Sequence, residues 1–131
     1  MRYVVRAVAL AAVVIVTGCS LFRDPYVYVA DITSITAPDT VHTWTTFVVT
    51  VHAILGNTGE FVVDHMDITY TSSDLTLRIW SRDLNRGRGG PRVIFEGDYA
   101  FGAGPMKPGE FHVIAHQPDG STTQKTITVL P

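Results

Sequence analysis

The chain has 131 residues, 46% of them hydrophobic, with ten Lys plus Arg against twelve Asp plus Glu and a formal net charge of −2. That length accommodates one domain, and an acidic balance argues against a nucleic-acid binder, which is normally basic overall. Cys19 is the only cysteine, so an intramolecular disulfide is excluded.

The first segment is built differently from the rest. Arg2 and Arg6 give a basic start, and residues 7–16 form an uncharged apolar run that leads into Val16-Thr17-Gly18-Cys19. Ten residues at 1.5 Å rise fall well short of the ~20 needed to span a hydrocarbon core. The expectation is a secretory signal and not a transmembrane helix. The four residues Val16 to Cys19 resemble the lipobox of bacterial lipoproteins: an aliphatic residue, a small one, Gly or Ala, then Cys. That resemblance implies that the Cys19 thiol receives a diacylglyceryl group and that residues 1–18 are removed. The new amino terminus would then carry a palmitate-type acyl chain. Residues 19–25 become a lipidated tether and residues 26–131 the folded domain. An odd cysteine in an exported protein needs an explanation, and thioether-linked lipid supplies one. One acyl chain binds a bilayer only marginally, whereas two or three make a stable anchor. Through Cys19, then, a membrane is the expected partner. In the same family, Ser20 in place of Asp after the cysteine implies delivery to the outer membrane when the organism has two membranes. Loss of Arg2 and Arg6 leaves eight basic residues against twelve acidic ones, a net charge of −4.

From Tyr26 onward the sequence has period two and favours strand formers. In TTFVVTVHAIL, Phe47, Val49, Val51, Ala53 and Leu55 share one face. Leu75, Leu77 and Ile79 alternate with Thr76, Arg78 and Trp80 in DLTLRIWS. Phe111, Val113 and Ala115 alternate with His112, Ile114 and His116, and Ile127 and Val129 point inward near the end. Turn residues punctuate these runs: Gly56-Asn57-Thr58-Gly59, Ser72-Ser73-Asp74 and Gln117-Pro118-Asp119-Gly120-Ser121. Gly and Asn tolerate positive φ, and Pro presets the turn entry. About seven strands in roughly 105 residues predict an all-β, antiparallel, two-sheet sandwich of Ig-like type. A chain of this size buries on the order of 60% of its unfolded surface, so no disulfide is needed.

Two stretches carry a family resemblance for the domain. ITSITAPDTVHTWTTFVVTVHAILGNTG is similar to the opening strands of bacterial extracellular Ig-like and fibronectin-like modules, and MKPGEFHVIAH to the step before their penultimate strand. Met106, Pro108, Gly109, Phe111 and Val113 occupy the matching places. Phe111 stands where those modules carry tyrosine, so the tyrosine-corner hydrogen bond is lost there, and the antibody-type Cys…Trp…Cys pattern is absent. Such modules serve many unrelated activities.

The most unusual composition is RIWSRDLNRGRGGPR, residues 78–92, which holds Arg78, Arg82, Arg86, Arg88 and Arg92, five of the eight basic residues after the signal. Arg78, Trp80 and Arg82 are spaced to share one exposed strand face, and residues 83–91 read as a mobile Gly- and Pro-rich loop. Guanidinium groups beside an indole offer bidentate donors next to a flat apolar surface. These six residues are therefore the candidate site for an anionic envelope glycan, a lipid headgroup or a partner's carboxylates. The competing reading is that the arginines keep the loop soluble and their stems cover Trp80. GRGG is similar to RGG segments of RNA-binding proteins, but an exported domain does not meet RNA.

The remaining residues offer little chemistry. His112 and His116 lie roughly 13 Å apart at strand rise, so chelation would need a third residue such as His52; His42 and His65 are isolated. Asp64, Asp67, Glu96 and Asp98 do not make the spaced ligand run of a Ca²⁺ loop. Asp64-His65 would orient a nucleophile, but there is no GxSxG elbow and no P-loop. Gly102-Ala103-Gly104-Pro105 lacks the strand–helix context of a phosphate cradle and reads as a flexible approach to the next strand. No cofactor, metal or catalysis is expected. The expected role is a non-catalytic protein-interaction or scaffold module at the cell envelope, with the anionic-ligand binder as alternative.

Overall fold

A computed structural model describes residues 24–104 and 106–131. Cys19, the signal segment and the first part of the tether lie outside the described residues. Nine strands follow one another: β1 (Val27–Val29), β2 (Asp31–Thr36), β3 (Thr40–His42), β4 (Phe47–Gly56), β5 (Phe61–Tyr70), β6 (Asp74–Asp83), β7 (Phe95–Ala103), β8 (Gly109–His116) and β9 (Thr122–Leu130). They form two sheets, one of six strands and one of three. In the larger, β6 has β5 along one edge and shares its other edge between β1 and β8, beyond which lie β9 and β3. The smaller is ordered β2-β4-β7.

The expected all-β two-sheet sandwich is the observed architecture, with more strands than the seven expected and two pairings that are not antiparallel. β3 runs parallel to β9, and β6 parallel to β8. A parallel pair needs a long crossover. Between β6 and β8 the chain supplies one by crossing to the other sheet as β7 and returning.

Alternation explains why these segments are strands. Along β4, Phe47, Val49, Val51 and Ala53 are buried while Val48, Thr50 and His52 face outward, and β6 buries Leu75, Leu77 and Ile79 in the same way. Phe111, Val113 and Ala115 of β8 and Ile127 and Val129 of β9 complete the core between the sheets. Phe47 meets Phe111 edge to face, with centroids 6.2 Å apart and an 87° interplanar angle, a geometry the ring quadrupoles favour.

Of the expected flexible approach at residues 102–105, Gly102 and Ala103 belong to a regular strand, and Pro105 lies outside the described residues. Gly102 and Ala103 finish β7 opposite Val48 and Phe47. Gly104 then turns the chain at φ +117°, where a Cβ would sit 2.6 Å from the Thr45 carbonyl oxygen, so only glycine fits. Its N–H donates to Tyr70 Oη at 2.7 Å, and the Tyr70 ring packs against Phe111. A tyrosine hydroxyl is thus present near Phe111, supplied by β5.

Gln117 fastens one sheet to the other. Its Oε1 accepts from the Ile32 N–H at 2.9 Å, and its Nε2 donates to the Ile32 carbonyl at 2.7 Å and to Thr123 Oγ1 at 2.6 Å. The amide reproduces the two bonds of a strand neighbour where β2 bulges between Ile32 and Ser34.

Candidate functional site

The two ends of the sandwich differ in chemistry. At one end the described chain begins, at Asp24, beside the β4–β5 and β6–β7 connections. The pairings Phe61↔Asp83 and Gly56↔Phe95 put both connections there. At the other end lie the β3–β4 and β5–β6 turns, the β7–β8 connection and Pro131.

At the entry end the structure divides the six candidate residues into two groups. Arg78, Trp80 and Arg82 do share the outward face of β6, each partly exposed. Strand β5 sets acidic residues beside them. Asp67 pairs in register with Arg78 and accepts a hydrogen bond from Trp80 Nε1 at 2.7 Å. The His65 ring stacks on Trp80 at 5.5 Å, and the Arg78 guanidinium lies 5.7 Å from the indole centroid. Arg82 donates from Nε to Asp64 Oδ1 at 2.7 Å and from Nη1 to Asp24 Oδ2 at 2.7 Å. Asp64 is available because β5 bulges between Val63 and His65, which turns an extra side chain outward.

These groups surround a cleft of about 210 Å³ lined by Asp24, Val27, Asp64, His65, Trp80 and Arg82. Its electrostatics are internally balanced. Hydrogen bonds from His65 and then Arg82 hold the Asp64 carboxyl below its ordinary value, and Asp64 in turn raises the Arg82 guanidinium above its own. Three carboxylates against two guanidinium groups leave no excess of positive charge for an anion. The Arg82 fork, with one arm on each aspartate, works instead as a clamp on the incoming chain.

The second group, Arg86, Arg88 and Arg92, sits on the β6–β7 connection. That segment, expected to be mobile, is organised by a single buried carboxylate. Asp83, 5% exposed, accepts from the Asn85 N–H at 2.9 Å through Oδ1 and from the Gly87 N–H at 2.8 Å through Oδ2. Asn85 Nδ2 donates to the Gly89 carbonyl at 3.0 Å, and the Leu84 N–H donates to the Glu60 carbonyl at 2.8 Å. Arg86 takes φ +53° and is followed by Gly87 at φ +77°, consecutive left-handed positions that glycine makes tolerable. The Arg86 guanidinium lies 4.8 Å from the centroid of the Tyr26 ring. Arg88 and Arg92 are exposed. Among the described residues, none of these three arginines forms an ion pair.

Sequence reasoning found the arginines but not Asp83, whose partners are backbone amides, nor Asp24, which is 58 residues from Arg82. Periodicity gives no signal for either contact.

The histidines do not converge. His52 lies on the outer face of the three-stranded sheet, where its ring nitrogens meet Asp98 at 2.7 Å and Glu96 at 3.2 Å. The Asp98 bond, followed by the Glu96 bond, raises its pKa above the ordinary value. His112 and His116 lie on the outer face of the other sheet. The topology sets His52, the third residue that chelation would need, on the opposite side of the core from them. His65 Nδ1 does bond to the Asp64 carboxylate, but its Nε2 faces a further carboxylate, Asp67, at 4.0 Å. Among the described residues, no group of three or more His, Cys, Asp or Glu is placed to hold a metal ion, and no helix is long and apolar enough to cross a membrane.

The far end is apolar and open. A cleft of about 500 Å³ is lined by Thr43, Ser72, Met106, Lys107, Pro108 and Pro131. Next to Thr43, Trp44 is 70% exposed and stacks on His42 at 5.0 Å. The turn presenting it is held by the Thr43 N–H on the Leu130 carbonyl and the Thr45 N–H on the His42 carbonyl, both 3.0 Å.

Scans against protein-family models, curated proteins and solved structures found no match to this chain.

Proposed function

We propose that this is a lipid-anchored cell-envelope protein, attached through Cys19, whose sandwich is a non-catalytic protein-interaction module. In an organism with two membranes, its place is the outer membrane. The observation that favours this reading is Trp44. A large aromatic side chain left mostly in water beside an apolar cleft is the kind of group that anchors protein interfaces. It stands at the end of the domain away from the entering chain, the end a tethered module presents to its surroundings.

Hydroxylamine-resistant acyl labelling of the full-length protein, abolished by Cys19→Ser, tests the anchor. For the interaction, detergent-extracted protein is purified and captured partners are compared with those of Trp44→Ala. Truncating a central aromatic anchor weakens an interface by 2 kcal/mol or more, about 30-fold in Kd. Recovery of only a monomer under all conditions, or an unchanged set of partners with Trp44→Ala, removes the reading.

One observation favours a second reading, the binder of an anionic envelope glycan or lipid headgroup. Within residues 57–60 and 84–94 there are three arginines and one acidic residue, Glu60, although the chain after the signal is acidic overall. The reading then rests on Arg86, Arg88 and Arg92, because Arg82 is neutralised by Asp64 and Asp24. Binding should weaken steeply with salt, and should persist with Arg78→Gln.

A further inference from the structure

We propose that the β6–β7 connection, residues 84–94, is a membrane-contacting surface that binds lipid phosphates and sets the domain upright on the bilayer to which Cys19 tethers it. The inference rests on the lipid-anchored reading above and adds the orientation of the domain and the identity of what the loop touches.

Three observations converge on this segment. The first is its place. Arg82 holds Asp24, and Arg86 covers Tyr26, so the loop is fastened to the first described residues. Asp24 is five steps along the chain from Cys19, a reach of about 17 Å at ~3.4 Å per residue when fully extended. A lipid on Cys19 therefore keeps the loop beside the bilayer surface.

The second is charge. Arg86, Arg88 and Arg92 make no ion pair with a described residue, while the rest of the domain is acidic. An anionic surface attracts this end and repels the others. Screening limits the effect to within ~8 Å at physiological salt, which favours the one part of the domain held close.

The third is the apolar content of the same loop. Leu84 is 46% exposed, Val93 51% and Ile94 58%. Guanidinium groups interleaved with exposed aliphatic side chains suit the interface between headgroups and acyl chains, where charge meets phosphate and aliphatic groups enter the hydrocarbon boundary. An acidic protein partner would satisfy the arginines alike, but would not explain why the patch lies next to the tether.

The test uses the full-length lipidated protein. With Cys19 acylated, Val93→Cys supplies the single reactive thiol for an environment-sensitive fluorophore, and Ser72→Cys supplies the same at the far end. Each labelled protein is reconstituted into vesicles of phosphatidylcholine, with and without phosphatidylglycerol, containing brominated lipid as quencher. The label at position 93 should be quenched several-fold more in the anionic vesicles, and the label at position 72 in neither. Each arginine near an anionic surface contributes roughly fivefold to association, so changing Arg86, Arg88 and Arg92 together to Gln should weaken docking on the order of 100-fold. Changing the same three to Lys should restore it, because the surface reads charge. Circular dichroism checks that the variants keep the sandwich.

A label at position 93 that stays in water in both vesicles overturns the proposal, as does quenching indifferent to lipid charge and salt. If Cys19 itself reacts with the thiol reagent and the protein fails to enter vesicles, the anchored reading has failed and the proposal falls with it. That result is distinct from an anchored protein whose loop stays dry.

Discussion

The two ends of this sandwich are finished in opposite ways. At the entry end, charged residues fold the connections. Asp83 gathers two backbone N–H groups, Arg82 joins Asp24 to Asp64, and Arg86 lies over Tyr26. At the far end the fastening is by backbone and aromatic contact: Tyr70 on Gly104 and Phe111, and the Trp44 turn on Leu130 and His42. Salt and acid can therefore loosen the first while leaving the second in place. On the proposed reading, a domain tethered at one end and offering an apolar surface at the other would gain from that separation.

The comparison is broken most completely from the core they share. Phe111 is fully buried and touches both Phe47 and Tyr70, so Phe111→Ala should cost about 3–5 kcal/mol, a large part of the ~5–15 kcal/mol available to a domain. Both ends should melt together in thermal unfolding; separate transitions would mean that they are independent units.

Asp83→Ala sharpens the contrast. It strands the Asn85 and Gly87 N–H groups and should cost about 1–3 kcal/mol. Amide exchange should accelerate across residues 84–90, while protection around Trp44 stays unchanged.

The smallest effect is in pH. The Asp64 carboxyl is lowered by its bonds to His65 and Arg82, so its contribution is present above the ordinary carboxylate value and is lost as pH falls through the lowered one. His52 is raised by Asp98 and Glu96, so its contribution is full below its ordinary value of 6.5 and is lost as pH rises through the raised one. Melting temperature followed against pH should therefore lose part of its acid-side slope in Asp64→Asn, the remainder coming from Asp39 and Asp119, which are also lowered, and its slope on the alkaline side of 6.5 should shrink in His52→Gln. Identical profiles for wild type and both variants would remove the assignment.

Strands β4, β6, β8 and β9 were legible because one face of each meets the core and the other meets water, which prints period two into the residues. β5 was harder. Its bulge at Val63–His65 shifts the phase midway, and Ile68 and Tyr70 remain exposed near its end. β7 hides behind Gly97 and Gly102, which weaken a strand signal. The parallel pairings were not legible at all, since alternation records which face is buried and not which way a neighbour runs. At the site, the arginine cluster stood out by composition. Its division into a neutralised group and a loop group depends on register, which brings Asp64 and Asp24 to Arg82 from 18 and 58 residues away.

The position of β1 has a mechanical consequence. This three-residue strand lies against an interior strand of its sheet, β6, antiparallel to Trp80–Arg82, with Asp24 gripped just ahead of it. A pull on the chain before Asp24, directed along β1, loads those pairings side by side and draws on the sheet's interior. Strands loaded in this shearing mode yield together at high force, whereas a strand peeled from an edge opens one bond at a time.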